Sequence, residues 1–191
     1  MIQALKKNKK HIVLISAHFY PIDHIAAYRM NGFVKYLDHS QFDISVITIN
    51  SDKISKAINK NTKAVICVHL YGQSIDLDKV KSICKKKNIY LIEDVSQAHG
   101  ALWKGKRLGS FGIFATFSCY PTKNLGAIGD AGIITTNKKF LEKKIKMIRE
   151  YGWVKKFDSN CFGRNSRLDE IQAAILRIKL KKLDRDNEKR R

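Results

Sequence analysis

The chain alternates short apolar runs with segments of helical spacing. "HIVLISA" (11–17), "FDISVITI" (42–49), "AVICVHL" (64–70), "IYLIEDV" (89–95), "IFATFSC" (113–119) and "AGIITTN" (131–137) are mostly apolar and rich in β-branched or aromatic residues, so each predicts a strand. Between them, "HIAAYRMNGFVKYL" (24–37) and "DLDKVKSICKKKN" (76–88) repeat apolar residues three and four apart and predict helices. Another helix is predicted over 138–151, stopped by Gly152, and a last long one over 167–191. Ser166 followed three residues later by Asp169 has the form of a capping box for that last helix. Its Ile171, Ala174, Ile175, Ile178 and Leu183 make an apolar stripe that needs a partner surface. The Gly- and Lys-rich stretch before residue 113 predicts a loop. Continuous apolar strands alternating with helices argue for an α/β fold, a mostly parallel sheet flanked by helices.

Composition narrows the classes. With 191 residues, 44% of them hydrophobic and only two prolines, the chain can bury a core and is no disordered tail. No apolar run approaches the roughly 20 residues of a membrane span. The basic start leads into a short apolar run, but "HFYPID" makes a poor cleavage region, so a cytoplasmic location is expected. The net charge of +20 points toward nucleic acid at first sight. Of the 37 basic residues, however, 28 are Lys and 9 Arg, spread along amphipathic stretches such as "KKFLEKKIKMIREYG". Arginine is the better reader of phosphate and base edges, and solvated helix faces account for the lysines, so no nucleic-acid partner is expected. Cys67, Cys84, Cys119 and Cys161 form no C-x-x-C pair, which predicts neither a metal site nor a disulfide framework; Cys67, in an apolar run, reads as a core residue.

Candidate chemistry sits at strand ends, where ligands gather in parallel sheets. Asp94 closes "IYLIED", and Lys123 follows "IFATFSCY" after a short turn, with Gln97 and Ser118 as polar neighbours. If the two strands are adjacent, a carboxylate and an amine converge. A plain ion pair is the simpler reading of that pairing. The other is pyridoxal phosphate chemistry: a lysine to hold the aldehyde as an imine, a carboxylate for the ring nitrogen, and donors for the phosphate. Gly126, Gly129 and Gly132 leave backbone accessible there, but they lead into a strand and do not form a dinucleotide fingerprint. His99 and Tyr120 are either pocket residues or packing residues.

The stretches "TKAVICVHLYGQ", "LIEDVSQAHGA", "GKRLGSFG", "FSCYPTKNLGAIGDAGIITTN" and "NSRLDEIQAAILRIKLKKLD" resemble the DegT/DnrJ family of sugar-nucleotide aminotransferases, fold-type I enzymes that use pyridoxal 5'-phosphate. The resemblance runs from about Ser51 to Arg191. It implies that Lys123 carries the cofactor and shuttles protons, that Asp94 pairs with the pyridine nitrogen, and that Gln97 bonds the ring oxygen. Ser118 would bind the phosphate, and Asn165 would reach the phosphate held by the partner subunit of a homodimer. It further implies transamination of a nucleotide-linked keto-sugar with glutamate as amino donor. "VHLYGQ" and "NSRLDEIQAA" look closest to the branch acting on dTDP-3-keto-6-deoxyhexoses.

A complete member would begin with a phosphate-binding turn and a stacking aromatic, and would end in a smaller C-terminal domain. Residues 51–191 therefore read as a partial aminotransferase domain, expected to be inactive by itself. Residues 1–50 form a β-α-β segment, of which 11–49 resemble the opening of a retaining GT-B glycosyltransferase. A glycosyltransferase fragment and a non-enzymatic fusion remnant are the alternative readings.

Overall fold

The computed structural model describes residues 9–15, 35, 41–47 and 54–191. Six strands form the main sheet: β1 (Lys10–Ile15), β2 (Phe42–Ile47), β3 (Thr62–Val68), β4 (Tyr90–Asp94), β7 (Phe114–Ser118) and β8 (Gly132–Thr135). Their order is β2-β1-β3-β4-β7-β8, parallel throughout except for β8, which runs antiparallel to β7. The mostly parallel α/β sheet expected from the apolar runs is thus present. Of the helix expected over 24–37, all but Lys35 lies outside the described residues.

β1 pairs with both β2 and β3, so strands on either side of residue 50 share one sheet. Buried His11 ties these three strands together, with Nδ1 2.6 Å from Thr62 Oγ1 and Nε2 2.8 Å from Ser45 Oγ. The main core packs Val13, Val65, Cys67, Leu91, Val95 and Ala115 of the sheet against Ile54 of α1 (Ile54–Ala57) and Leu77, Val80 and Cys84 of α2 (Leu77–Lys87). Cys67 is a core residue, as its apolar run implied. Helix α2 has its ends where the sequence put them. Asp76 accepts the Lys79 N–H at 3.0 Å as N-cap, and Asn88 closes the helix in the left-handed region at φ 53°.

One short hairpin lies in the stretch read as a loop, and a second follows Gly152, where no element was expected. β5 (Leu102–Trp103) pairs with β6 (Lys106–Arg107), and β9 (Trp153–Lys155) with β10 (Asp158–Ser159). Helix α3 (Lys139–Arg149) stops close to the expected place, and Gly152, at φ 78°, donates its N–H to the Met147 carbonyl.

The last predicted helix differs in three ways. It is two helices, α4 (Glu170–Leu180) and α5 (Leu183–Glu188). Its capping box does not form: the Ser166 N–H goes to the Arg149 carbonyl at 2.9 Å, and the segment around Arg164 runs alongside the end of α3. Asp169 takes the N-cap position without a side-chain bond. Finally, the face of α4 turned to the sheet carries Leu176 and two polar anchors. Gln172 Oε1 accepts the Ile128 N–H at 3.0 Å, and Lys179 Nζ donates to the Gly126 carbonyl. Ile171 and Ile178 of the expected stripe stand 63% and 61% exposed, and Leu183 alone of that set is buried.

Candidate active site

β4 and β7 are hydrogen-bonded neighbours with Asp94 opposite Thr116, so the carboxyl ends of two parallel strands meet. Backbone bonds hold this end of the sheet: His69 N–H to the Asp94 carbonyl and Val95 N–H to the Thr116 carbonyl, both at 2.9 Å. The Asp94 side chain is oriented by its own turn, Oδ1 accepting the Ser96 N–H at 2.9 Å. Ser96 Oγ in turn accepts the Ser118 N–H at 3.1 Å, which links the turn after β4 to the end of β7. Lys123 lies five residues past the last β7 residue, in a turn closed by its own N–H to the Tyr120 carbonyl (2.9 Å) and by Ala127 N–H to the Cys119 carbonyl (2.8 Å). Gly126 permits that turn, because a Cβ there would sit 2.5 Å from the Pro121 carbonyl oxygen.

A cleft of about 550 Å³ opens above these ends. Gln97, His99, Lys123, Tyr71, Asn187 and Arg190 are among its lining residues, with the Gly72 N–H on the Gln97 carbonyl at 3.0 Å. Among the described residues its ionisable walls are cationic, Lys123 with Arg190 and Arg191, with no Asp or Glu. That favours an anionic occupant. Of the candidate residues at this end of the sheet, Gln97 and Lys123 line the cleft, while Asp94 and Ser118 stand at the ends of β4 and β7 outside its lining. Asn165 is elsewhere: exposed, bridged through its backbone to Glu150, with Oδ1 3.3 Å from Arg167 Nε in a separate hollow. Tyr120 is 44% exposed and lies outside the cleft lining.

His99 belongs to the pocket and to the core together. It is buried, tilts against Phe117 with ring centroids 5.8 Å apart, and leaves Nε2 without a partner. Burial pushes its pKa below the usual histidine value; the Ser118 carbonyl and Asp94 oppose this, while the charge of Lys123 adds to it. A neutral ring follows, feeling both the candidate amine and the candidate carboxylate.

Sequence reasoning passed over Glu93, one residue before Asp94. Glu93 is fully buried, and its Oε1 accepts the N–H groups of Phe111 (2.7 Å) and Gly112 (2.8 Å). Oε2 accepts the Gly109 N–H at 2.8 Å and faces His69 Nε2 at 3.3 Å. Burial alone would raise this carboxyl, but the His69 ring and the three backbone N–H groups together hold it below the usual carboxylate value. Glu93 thereby clamps the 109–112 loop and the end of β3 around the strand that presents Asp94. The signal available was a glutamate interrupting an apolar strand.

A parallel α/β sheet with an amine and a carboxylate at adjacent strand ends is the architecture of fold-type I pyridoxal phosphate enzymes, and the sheet described here is a part of that fold. The chain belongs to the DegT/DnrJ/EryC1/StrS aminotransferase family, whose model matches residues 1–191. It is 49% identical over 179 residues to a dTDP-3-amino-3,6-dideoxy-alpha-D-galactopyranose transaminase of Aneurinibacillus thermoaerophilus, covering 94% of this chain and 48% of the relative. It is 47% identical over 151 residues to a "Pleiotropic regulatory protein" of Geobacillus stearothermophilus, covering 78% of this chain and 41% of that one. The solved structure of S. venezuelae DesV in complex with a ketimine intermediate superposes with a TM-score of 0.76 at 34% identity, over 94% of this chain and 47% of DesV. Other solved neighbours hold PMP or hydrated PLP. The chain thus spans about half the length of the relatives it matches. The matches support the aminotransferase family and say nothing of a glycosyltransferase opening.

Proposed function

We propose that the chain carries part of the active site of a pyridoxal phosphate-dependent aminotransferase acting on nucleotide-linked keto-sugars. One observation carries this reading: Asp94 and the Lys123 turn meet at the ends of adjacent strands, beside a cationic cleft, in a chain matched to the family along its length. The donor set fits the cofactor. Bound there, pyridoxal phosphate supplies an electron sink for the carbon that gains or loses the amino group.

The chain's residues do the rest. Asp94, its Oδ1 steadied by Ser96, holds a proton on the ring nitrogen. Lys123 would hold the cofactor's aldehyde through its amine and would carry the proton to and from the reacting carbon. Gln97 would bond the ring oxygen, Ser118 would contribute to the phosphate site, and buried His99 would exclude water behind them. Asn165, set apart from this cleft, reaches the phosphate of the second subunit in a homodimer. The keto-sugar is dTDP-linked, after the Aneurinibacillus relative, and, as the family resemblance implies, glutamate donates the amino group in the cytoplasm.

The family model's span and the pairing of β1 with β3 favour the aminotransferase lineage for residues 11–49 over a glycosyltransferase remnant. The chain alone is expected to show no measurable transamination, since it covers only about half of its relatives. Adding a relative's flanking segments around residues 51–191 should bring turnover of a dTDP-linked keto-sugar, lost again on Lys123→Ala. Turnover that survives Lys123→Ala would overturn the proposal.

A further inference from the structure

Helix α5 has only six residues, yet it is tied by side chains to both loops that frame the cleft. Arg107 joins two of the tethers, its Nη2 to Asp184 Oδ2 and its Nη1 to the Gly100 carbonyl, both at 2.5 Å. Asn187 makes the contacts nearest the candidate amine. Its Nδ2 donates to the His99 carbonyl at 2.8 Å, and its Oδ1 accepts from Asn124 Nδ2 at 2.7 Å. Asn124 follows Lys123 directly. We infer that Asn187 is a positioning residue, whose amide latches the Lys123 turn to the His99 turn across the mouth of the cleft.

An amide suits this position. Toward the His99 carbonyl the group must donate, and its oxygen is left to take the NH2 of Asn124. The His99 carbonyl can only accept, which fixes the orientation of the Asn187 amide. Aspartate would lose the donor, and alanine would lose both bonds. The approach is close as well: a Cβ on Gly100 would meet Asn187 Nδ2 at 2.9 Å and Leu183 at 3.4 Å. Leu183 is buried with Cys119, Leu125 and Ala127, so the base of α5 rests on the core under the Lys123 turn, and the latch closes over its top. The turn around Lys123 is thereby referenced to the β4 side of the site as well as to β7.

This inference rests on Lys123 being the residue that takes the cofactor, but its first test is independent of that. Hydrogen exchange should be followed by mass spectrometry for the parent chain, Asn187→Ala, Asn124→Ala and the double variant. Asn124 is exposed and belongs to neither core cluster, so Asn124→Ala should keep the fold, which equal thermal stability checks. Losing one ordinary hydrogen bond corresponds to about fivefold faster local opening. Each single variant should therefore speed exchange in peptides covering residues 121–127 about fivefold, with β3 and β4 unchanged, and the double variant should be no faster than Asn187→Ala. Unchanged exchange at 121–127, or acceleration spread evenly over the chain, would overturn the latch. The second readout is borohydride capture of pyridoxal phosphate on Lys123, which should slow in both single variants at equal thermal stability. Capture at the parent rate in both would also overturn it. Absence of capture in the parent chain would instead count against the functional reading and leave the exchange result to decide the latch.

Discussion

Glu93→Gln keeps the shape of the buried side chain and removes its charge. The carboxylate now serves four groups, the N–H of Phe111 and Gly112 on one oxygen and the Gly109 N–H and His69 Nε2 on the other. An amide has a single oxygen, so its NH2 must face one of these pairs. The less costly arrangement turns it toward His69, which can change tautomer and accept through Nε2, leaving the Gly109 N–H unpaired. An unsatisfied buried donor costs about 1–3 kcal/mol, and each of the two remaining bonds drops from charge-assisted to neutral at about 1 kcal/mol. The sum is about 3–5 kcal/mol. Glu93→Ala strands three N–H groups and opens a cavity, at about 5 kcal/mol, which approaches the whole stability of a typical domain.

The assay is denaturant unfolding followed by circular dichroism, repeated across the acid range. The folded-state pKa of Glu93 lies below its unfolded value. Its stabilisation is therefore complete above the unfolded carboxylate pKa and is lost as pH falls through the folded one. The gap between the parent and Glu93→Gln should be full at neutral pH and shrink in acid. A neutral-pH cost under about 1 kcal/mol, the level of one neutral bond, would refute the clamp. So would a gap that widens on acidification.

Two further outcomes follow from local geometry and burial. Gly152→Ala forces a side chain into φ 78° and into the Cys161 carbonyl, so it should cost at least about 1–3 kcal/mol and speed tryptic cleavage at Lys155 and Lys156 of the adjoining hairpin. Unchanged cleavage there would contradict the packing of residues 151–163. Burial pushes the Cys84 thiol up to about 11 and raises those of Cys67 and Cys119, while Cys161 is half-exposed. Alkylation of native protein at mildly alkaline pH should therefore label Cys161 first, and equal labelling of Cys84 would contradict the core assignment.

The parallel strands were legible because a strand covered on both faces needs an apolar run, as in "AVICV" and "IYLI". The β5–β6 hairpin was not, because two-residue strands carry no periodicity; only the turn Lys104-Gly105, at φ 47° and 78°, marks it. The division of the last helix escaped because good helix formers continue across Lys181 and Lys182, and contacts to Arg107, Asn124 and His99 hold α5 where it lies. Asp94 and Lys123 could be placed from the rule that ligands gather at strand ends. Glu93 and Asn187 act on groups far away in sequence, 16 to 19 residues for the Glu93 loop and 63 and 88 for Asn187. Their partners include backbone N–H and carbonyl groups, which leave no mark in a side-chain pattern.

The central claim is that one lysine among 28 is chemically singled out. The purified chain should be incubated with pyridoxal phosphate, reduced with borohydride, digested, and mapped by mass spectrometry, alongside Lys123→Ala and Asp94→Asn. The account predicts a dominant adduct on Lys123, none at that position in Lys123→Ala, and slower capture in Asp94→Asn at unchanged fold. Adduct spread over surface lysines at comparable levels, or a dominant adduct on any other lysine, would contradict it.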